Sequence, residues 1–259
     1  MLCSFMIGMR TGKPSNGGYS LYSATPATLV SKIPASMSFT DACVLPVSIS
    51  TASAALYRAD TLGLPYPSRS QSASGKLLVV WGGASSVGSS ALQLAKASGV
   101  ATIATASTRN HEYCRSVGAS QVIGYSSSSV VQDVVDAILA SGQEFVGIFD
   151  SITTPETTAI CLEILGKTDG GKKLIRVQPA PKDVPEGIVV EGVVSLAINF
   201  EYKEVGAAVW GSYVGTALEG GSLRPLPKAK VVGEGLEVVQ KALGVQKSGV
   251  SARKIVVEL

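Results

Sequence analysis

The chain has 259 residues, of which 46% are hydrophobic and only 16% charged, with a net charge of +3. This is the composition of a packed domain or two, and it excludes a disordered chain. No Lys/Arg stripe stands out, so nucleic acid is not the expected partner. The 28 glycines and the scarcity of aromatics suit an α/β protein with tight turns.

In chain order, residues 1–40 read as loops and short strands: a turn at Gly17-Gly18, a strand over Tyr19–Ser23 and another over Leu29–Ile33 before Pro34. Phe39–Ala59 has a helical composition with Thr40 or Asp41 as cap, divided by Pro46. Pro65–Ser74 is a Pro/Ser-rich connector. Alternation follows: strand Leu77–Trp81, helix Val87–Ala97 ending near Gly99, strand Ala101–Ala106, helix Asn110–Val117 stopped by Gly118, strand Gln121–Ile123. Then come helix Val130–Leu139, strand Phe145–Phe149, helix Glu156–Leu165, and strands Lys173–Val177 and Val189–Leu196. A helix over Leu236–Leu243 and a strand over Lys254–Leu259 close the chain. Apolar strands between amphipathic helices predict a parallel sheet covered on both faces, a doubly wound α/β fold of Rossmann type.

Two apolar stretches resemble membrane signals. Met1–Met9 lacks the charged start and the cleavage site of a signal peptide. Leu77–Ala95 carries no charge, but Gly82, Gly83 and the serines behind them divide it into a strand and a helix. Neither predicts a membrane span. Cys3, Cys43, Cys114 and Cys161 are dispersed and His111 is the only histidine, so no zinc scaffold is visible. Such cysteine usage fits reduced thiols in the cytoplasm.

The chemistry concentrates in the turn Gly82-Gly83-Ala84-Ser85-Ser86-Val87-Gly88, which links a buried strand to a helix. Glycines permit a tight turn and close approach of phosphate, and the first turn of the helix aims N–H groups and a positive dipole end at an anion. Gly83, Ser85, Ser86, Val87 and Gly88 are therefore candidate pyrophosphate contacts. An NAD site ordinarily places Asp or Glu at the end of the next strand to bind the ribose 2′-hydroxyl. Here that segment reads Ala106-Ser107-Thr108-Arg109-Asn110. A carboxylate would repel a 2′-phosphate and a guanidinium would hold it, so the expected cofactor is NADPH. The other reading of Arg109 is a solvated residue at a helix start.

With this turn on the page, the chain resembles the zinc-free medium-chain dehydrogenases/reductases, and within them the fungal trans-acting enoyl reductases and related zinc-binding dehydrogenase proteins of secondary metabolism. The matching segments are Gly17-Gly18-Tyr19, Lys32-Ile33-Pro34, Ala42 to Pro46 with Thr51-Ala52, Leu62-Gly63-Leu64, Gln93 to Lys96, Val117-Gly118-Ala119, Asp150-Ser151-Ile152 and Ser251 to Leu259. The resemblance implies that Thr51 lies near the nicotinamide, that Ser107, Arg109 and Tyr125 bind the 2′-phosphate, and that Ser151 and Ile152 pass the nicotinamide ribose. It assigns no catalytic side chain, gives His111 and Cys114 no catalytic part, and makes Tyr19 a packing residue rather than an acid.

The same resemblance implies a GroES-like β-barrel domain that is incomplete here, because only about ten residues precede Lys13. Residues 1–50 would be its remnant, 51–222 the NADP-binding Rossmann domain with a linking helix, and 223–259 the return to the substrate domain. The implied activity is reduction of an activated C=C bond in an enoyl thioester or enone. The substrate would be a small molecule or a carrier-bound polyketide-like chain, and the partner a synthase or a second chain completing the barrel. The alternative is a non-redox cyclase, scaffold or regulatory pseudoenzyme that keeps the NADPH-binding fold.

Overall fold

The computed structural model describes residues 2–3 by their backbone, and residues 11–16, 22 and 24–259. The Gly17-Gly18 turn, the role of Tyr19 and the strand expected over Tyr19–Ser23 fall on or among residues outside this set.

Six strands form the central sheet: β3 (Lys76–Trp81), β4 (Ala101–Ala106), β5 (Gln121–Gly124), β6 (Glu144–Asp150), β7 (Lys173–Arg176) and β8 (Val189–Gly192). All neighbours are parallel, in the order β5-β4-β3-β6-β7-β8. Counted from β3, this is the doubly wound order 3-2-1-4-5-6, which reverses between β3 and β6 and opens a crevice there. Strand β3 shows why the sheet is central. Leu77, Val79 and Trp81 enter one apolar core, and Leu78 and Val80 the opposite one. A period of two with both faces buried is what a continuous apolar run gives in a parallel sheet.

Helices Val130–Ala140 and Pro155–Gly166 cover the first face, with Val134, Ile138, Cys161 and Ile164 buried against it. Helices Pro46–Tyr57, Ser86–Ala97 and His111–Ser116 cover the second. Helix Pro46–Tyr57 is buried at every position but Val47. Its serines and alanines bring it close to helix Ser86–Ala97, with Ser90 Oγ donating to Ser48 Oγ at 2.9 Å and Trp210 Nε1 donating to Ser50 Oγ at 3.1 Å. Among the described residues, Phe39–Tyr57 is the one helical stretch long and apolar enough to cross a membrane, but 72% of that window is buried inside the protein. The apolar run Leu77–Ala95 is divided as expected, into β3, the glycine turn and a helix.

Just beyond helix Pro46–Tyr57, Arg58 makes a clamp. Its Nε donates to Asp60 Oδ1 at 3.0 Å, and its guanidinium lies 4.3 Å from the centre of the Tyr202 ring. Tyr202 Oη donates to Asp60 Oδ2 at 2.7 Å. The hydrogen bonds from Arg58 hold the Asp60 carboxyl below its usual range. The clamp ties the helix to a segment in which the sequence predicted no element: helices Ala197–Phe200 and Lys203–Gly206, a π-helical stretch Ala207–Val214, and helix Gly215–Glu219.

Other expectations are corrected. The first of the two helices in the run from Phe39 is Phe39–Ala42, and its cap is Ser38, which accepts from the Asp41 N–H at 3.0 Å; Thr40 and Asp41 lie inside the helix. Pro46 does divide the run, because it occupies the first position of the second helix, where its missing N–H costs nothing. The strand expected over Leu29–Ile33 is a 3-10 turn, Ala27–Leu29, followed by the two-residue β2 (Val30–Ser31). That expected over Val189–Leu196 stops at Gly192.

Outside the main sheet, β1 (Leu2–Cys3) pairs antiparallel with β2, and β9 (Ala229–Glu234), which the sequence did not reveal, pairs parallel with β10 (Lys254–Glu258). Helix Val239–Lys247 connects the last two. Among the described residues these two small sheets remain separate from each other and from the six-stranded sheet.

Candidate functional site

The site forms at the carboxyl ends of β3, β4, β5 and β6. Trp81 delivers the chain to Gly82 at φ +81°, a conformation that favours glycine. A Cβ on Gly82 would also stand 2.4 Å from Ile152 Cγ1. Gly83 serves packing, since its Cβ would come 2.8 Å from that of Ala104. A Cβ on Gly88 would lie 2.3 Å from the Gly82 carbonyl oxygen, so the helix begins in direct contact with the turn. Strand β4 anchors this turn: Gly82 N–H donates to Thr105 Oγ1 at 3.1 Å and Gly83 N–H to the Thr105 carbonyl at 2.9 Å.

Ser85 is the N-cap of helix Ser86–Ala97 and accepts from Gly88 N–H at 2.9 Å. Capping satisfies one of the open donors of the first turn. The N–H groups of Ser86 and Val87 take no partner among the described residues. They sit where the positive end of the helix dipole adds to their pull on an anion.

Across the crevice, Ser151 Oγ lies 2.9 Å from Ser85 Oγ and donates to the Trp81 carbonyl at 2.7 Å. Asp150, fully buried, shapes the loop behind it: Oδ1 accepts from Ile152 N–H at 3.0 Å and Thr153 N–H at 2.9 Å, and Oδ2 from Thr157 Oγ1 at 2.7 Å. Thr153 is thereby held at φ +61° and Ile152 projects into the crevice.

A cleft of about 210 Å³ then brings together Ser85, Ser107, Arg109, Tyr125, Ile152 and Ser251. An adjoining cleft of about 250 Å³ is lined by Ser86, Arg253 and Lys254. Three cations thus line the two clefts and no carboxylate does. Seven of the expected residues meet here: Ser85, Ser86, Ser107, Arg109, Tyr125, Ile152 and, through its bond to Ser85, Ser151. Thr51 lines neither cleft; it is 7% exposed, and its hydroxyl donates to the Val47 carbonyl at 2.8 Å. His111 is half-buried at the start of its helix, and its Nε2 has no partner. Cys114 is buried in the core, which pushes its thiol up to about 11.

Sequence reasoning missed the contribution of the C-terminal loop. Asn110 Nδ2 donates both to Ser107 Oγ at 3.0 Å and to Ser251 Oγ at 2.9 Å, so the loop closes one side of the cleft. Lys254 Nζ reaches Ser86 Oγ at 3.4 Å, and burial lowers the pKa of its ammonium group. The signal in the sequence was the basic pair Arg253-Lys254 ahead of the last strand. A glycine turn, a helix start with open donors and a lining whose charged residues are all cations fit an anionic dinucleotide laid across the crevice.

Comparison with known proteins agrees with this geometry. The family model "Zinc-binding dehydrogenase" matches residues 86–172. The dehydrogenase orsE of Emericella nidulans is 40% identical over 98% of this chain and 74% of its own length. The trans-enoyl reductase himH of Aspergillus japonicus is 42% identical over 96% of this chain and 71% of its own. The fold is also that of the CurK enoyl reductase crystal structure, with a TM-score of 0.67 at 18% identity over 90% of this chain and 67% of that one. The chain belongs to the medium-chain dehydrogenase/reductase family, in the zinc-binding dehydrogenase group that includes these fungal dehydrogenases and trans-enoyl reductases.

Proposed function

We propose that the chain is an NADPH-dependent reductase of an activated C=C bond, in an enoyl thioester or an enone. Membership of this family implies a nicotinamide cofactor. The observation that carries the choice of NADPH is the cleft that unites Ser107, Arg109 and Tyr125 without a carboxylate. In this reading these three hold the 2′-phosphate. The N–H groups of Ser86 and Val87, with Gly83, Ser85, Gly88, Arg253 and Lys254 around them, hold the pyrophosphate. Ser151 and Ile152 set the path of the nicotinamide ribose, and Thr51 stands near the nicotinamide.

When bound, the cofactor supplies the hydride. The chain holds the reacting carbon and the donor in register and keeps the carbonyl polarised, so much of the rate enhancement comes from orientation. We assign no residue as an obligatory acid; the α-carbon takes its proton from water.

In the same reading the substrate is a carrier-bound, polyketide-like chain delivered by a synthase, in keeping with the relatives named trans-enoyl reductases, and the compartment, from the dispersed cysteines, is the cytoplasm. The division into residues 1–50, 51–222 and 223–259 belongs to the same proposal. The deciding experiment is consumption of NADPH with a panel of enones and enoyl thioesters. Turnover with NADPH and not NADH is expected. Cofactor binding without turnover on any of them would favour a non-redox role.

A further inference from the structure

We infer that a second anion site, at the far end of helix Ser86–Ala97 from the dinucleotide crevice, binds a small phosphate-bearing molecule through Arg69, Lys96 and Arg224. A cavity of about 380 Å³, larger than either cleft at the crevice, lies there between the Pro/Ser-rich connector, the C-terminal ends of two helices and the loop after Glu219. Its size suits a small ligand.

Three cations line the cavity and no carboxylate does. None of the three forms an ion pair among the described residues, which include all 19 acidic residues of the chain. Arg224 donates to the Ser116 carbonyl at the end of helix His111–Ser116, which leaves the other donors of its fork. Each helix C-terminus contributes about −0.5 charge, so two such ends cancel only about one of the three positive charges.

The cavity also has a built floor. Gln93, 5% exposed, fixes the Arg224 backbone through both amide atoms: Nε2 donates to its carbonyl at 3.2 Å and Oε1 accepts from its N–H at 2.8 Å. Gly220 makes room for Arg69, whose Nη2 lies 3.0 Å from where a Cβ would stand. Tyr213, 4% exposed, lines the cavity beside Ser222, whose hydroxyl donates to the Ala217 carbonyl. Forked guanidinium groups, an ammonium and neutral hydroxyl donors around one void are the chemistry that recognises phosphate oxygens.

The cavity is distinct from the proposed cofactor site. Ser86 and Lys96 are ten residues apart on one helix, roughly 15 Å at 1.5 Å per residue, and they mark opposite ends of the layer. The test titrates inorganic pyrophosphate into the whole chain saturated with NADPH, read by calorimetry and by backbone amide shifts. Saturable binding is expected, with shifts at Gln93–Ala97 and Ser222–Arg224. The variants Lys96→Gln and Arg224→Gln should each weaken it about tenfold, with no change in NADPH affinity. Absence of saturable binding would overturn the inference, as would shifts confined to Ser85–Val87 or an affinity indifferent to both variants. Because the amide shifts locate the probe directly, the outcome is decided even if NADPH itself does not bind.

Discussion

Replacing Arg109 by alanine tests the cofactor assignment most directly. Arg109 is exposed, lines the cleft with Ser107 and Tyr125, and forms no ion pair among the described residues. Its removal therefore leaves no buried partner stranded, and the fold should hold. A hydrogen bond to a charged group contributes about 1.5–3 kcal/mol. Solvent screening at this exposed position reduces that to about 1–2 kcal/mol, or roughly 5–30-fold in Kd. NADH lacks the 2′-phosphate, so its affinity should hardly change. Trp81, 3% exposed and adjacent to Gly82, provides an intrinsic fluorescence signal for both titrations. The loss for NADPH should shrink as salt rises, because an exposed charge pair is screened beyond about 10 Å at 0.1 M. Arg109→Lys should recover part of it, keeping the charge but not the fork. An equal loss for both dinucleotides, or none for NADPH, would refute the assignment.

Gly88→Ala places a methyl group 2.3 Å from the Gly82 carbonyl oxygen and 3.0 Å from Gly83 Cα, both backbone atoms that cannot rotate away. The cost should be about 3 kcal/mol, lowering the melting temperature by roughly 6–12 °C, with NADPH affinity falling as the helix start shifts. Asp60 contributes a pH-dependent element. Its pKa in the folded chain is depressed, so its stabilisation is present above the unfolded value near ~3.9 and is lost as pH falls through the folded value. Asp60→Asn should flatten that acid limb in urea titrations run as a function of pH; an unchanged limb would exclude the Arg58 clamp as its source. Elemental analysis should find no stoichiometric zinc, and a chelator should leave the melting temperature unchanged, because the described residues hold no cluster of three His, Cys, Asp or Glu side chains.

The sequence by itself determined the sheet and the turn. Strands β3 to β7 lie within a residue or so of where apolar runs and glycine punctuation put them, because each is defined by short-range pattern. The Ser86 helix start and the absence of acid after β4 are equally local, and they carried the cofactor reading. Pattern failed where tertiary contacts override propensity. Residues 197–219 are helical because Val205, Val209, Trp210 and Val214 complete the core over helix Pro46–Tyr57, and β9 exists because β10 pairs with it. Only the tertiary structure brought Arg253, Lys254 and Ser251 to the crevice, where Lys254 meets Ser86, 168 residues earlier in the chain, and Ser251 meets Asn110, 141 residues earlier. The packing of helix Pro46–Tyr57 likewise decided that Thr51, whose hydroxyl bonds the Val47 carbonyl one turn back in the same helix, lines neither cleft. A sequence pattern encodes which face of an element is apolar; which distant side chains share a cleft depends on how those faces pack.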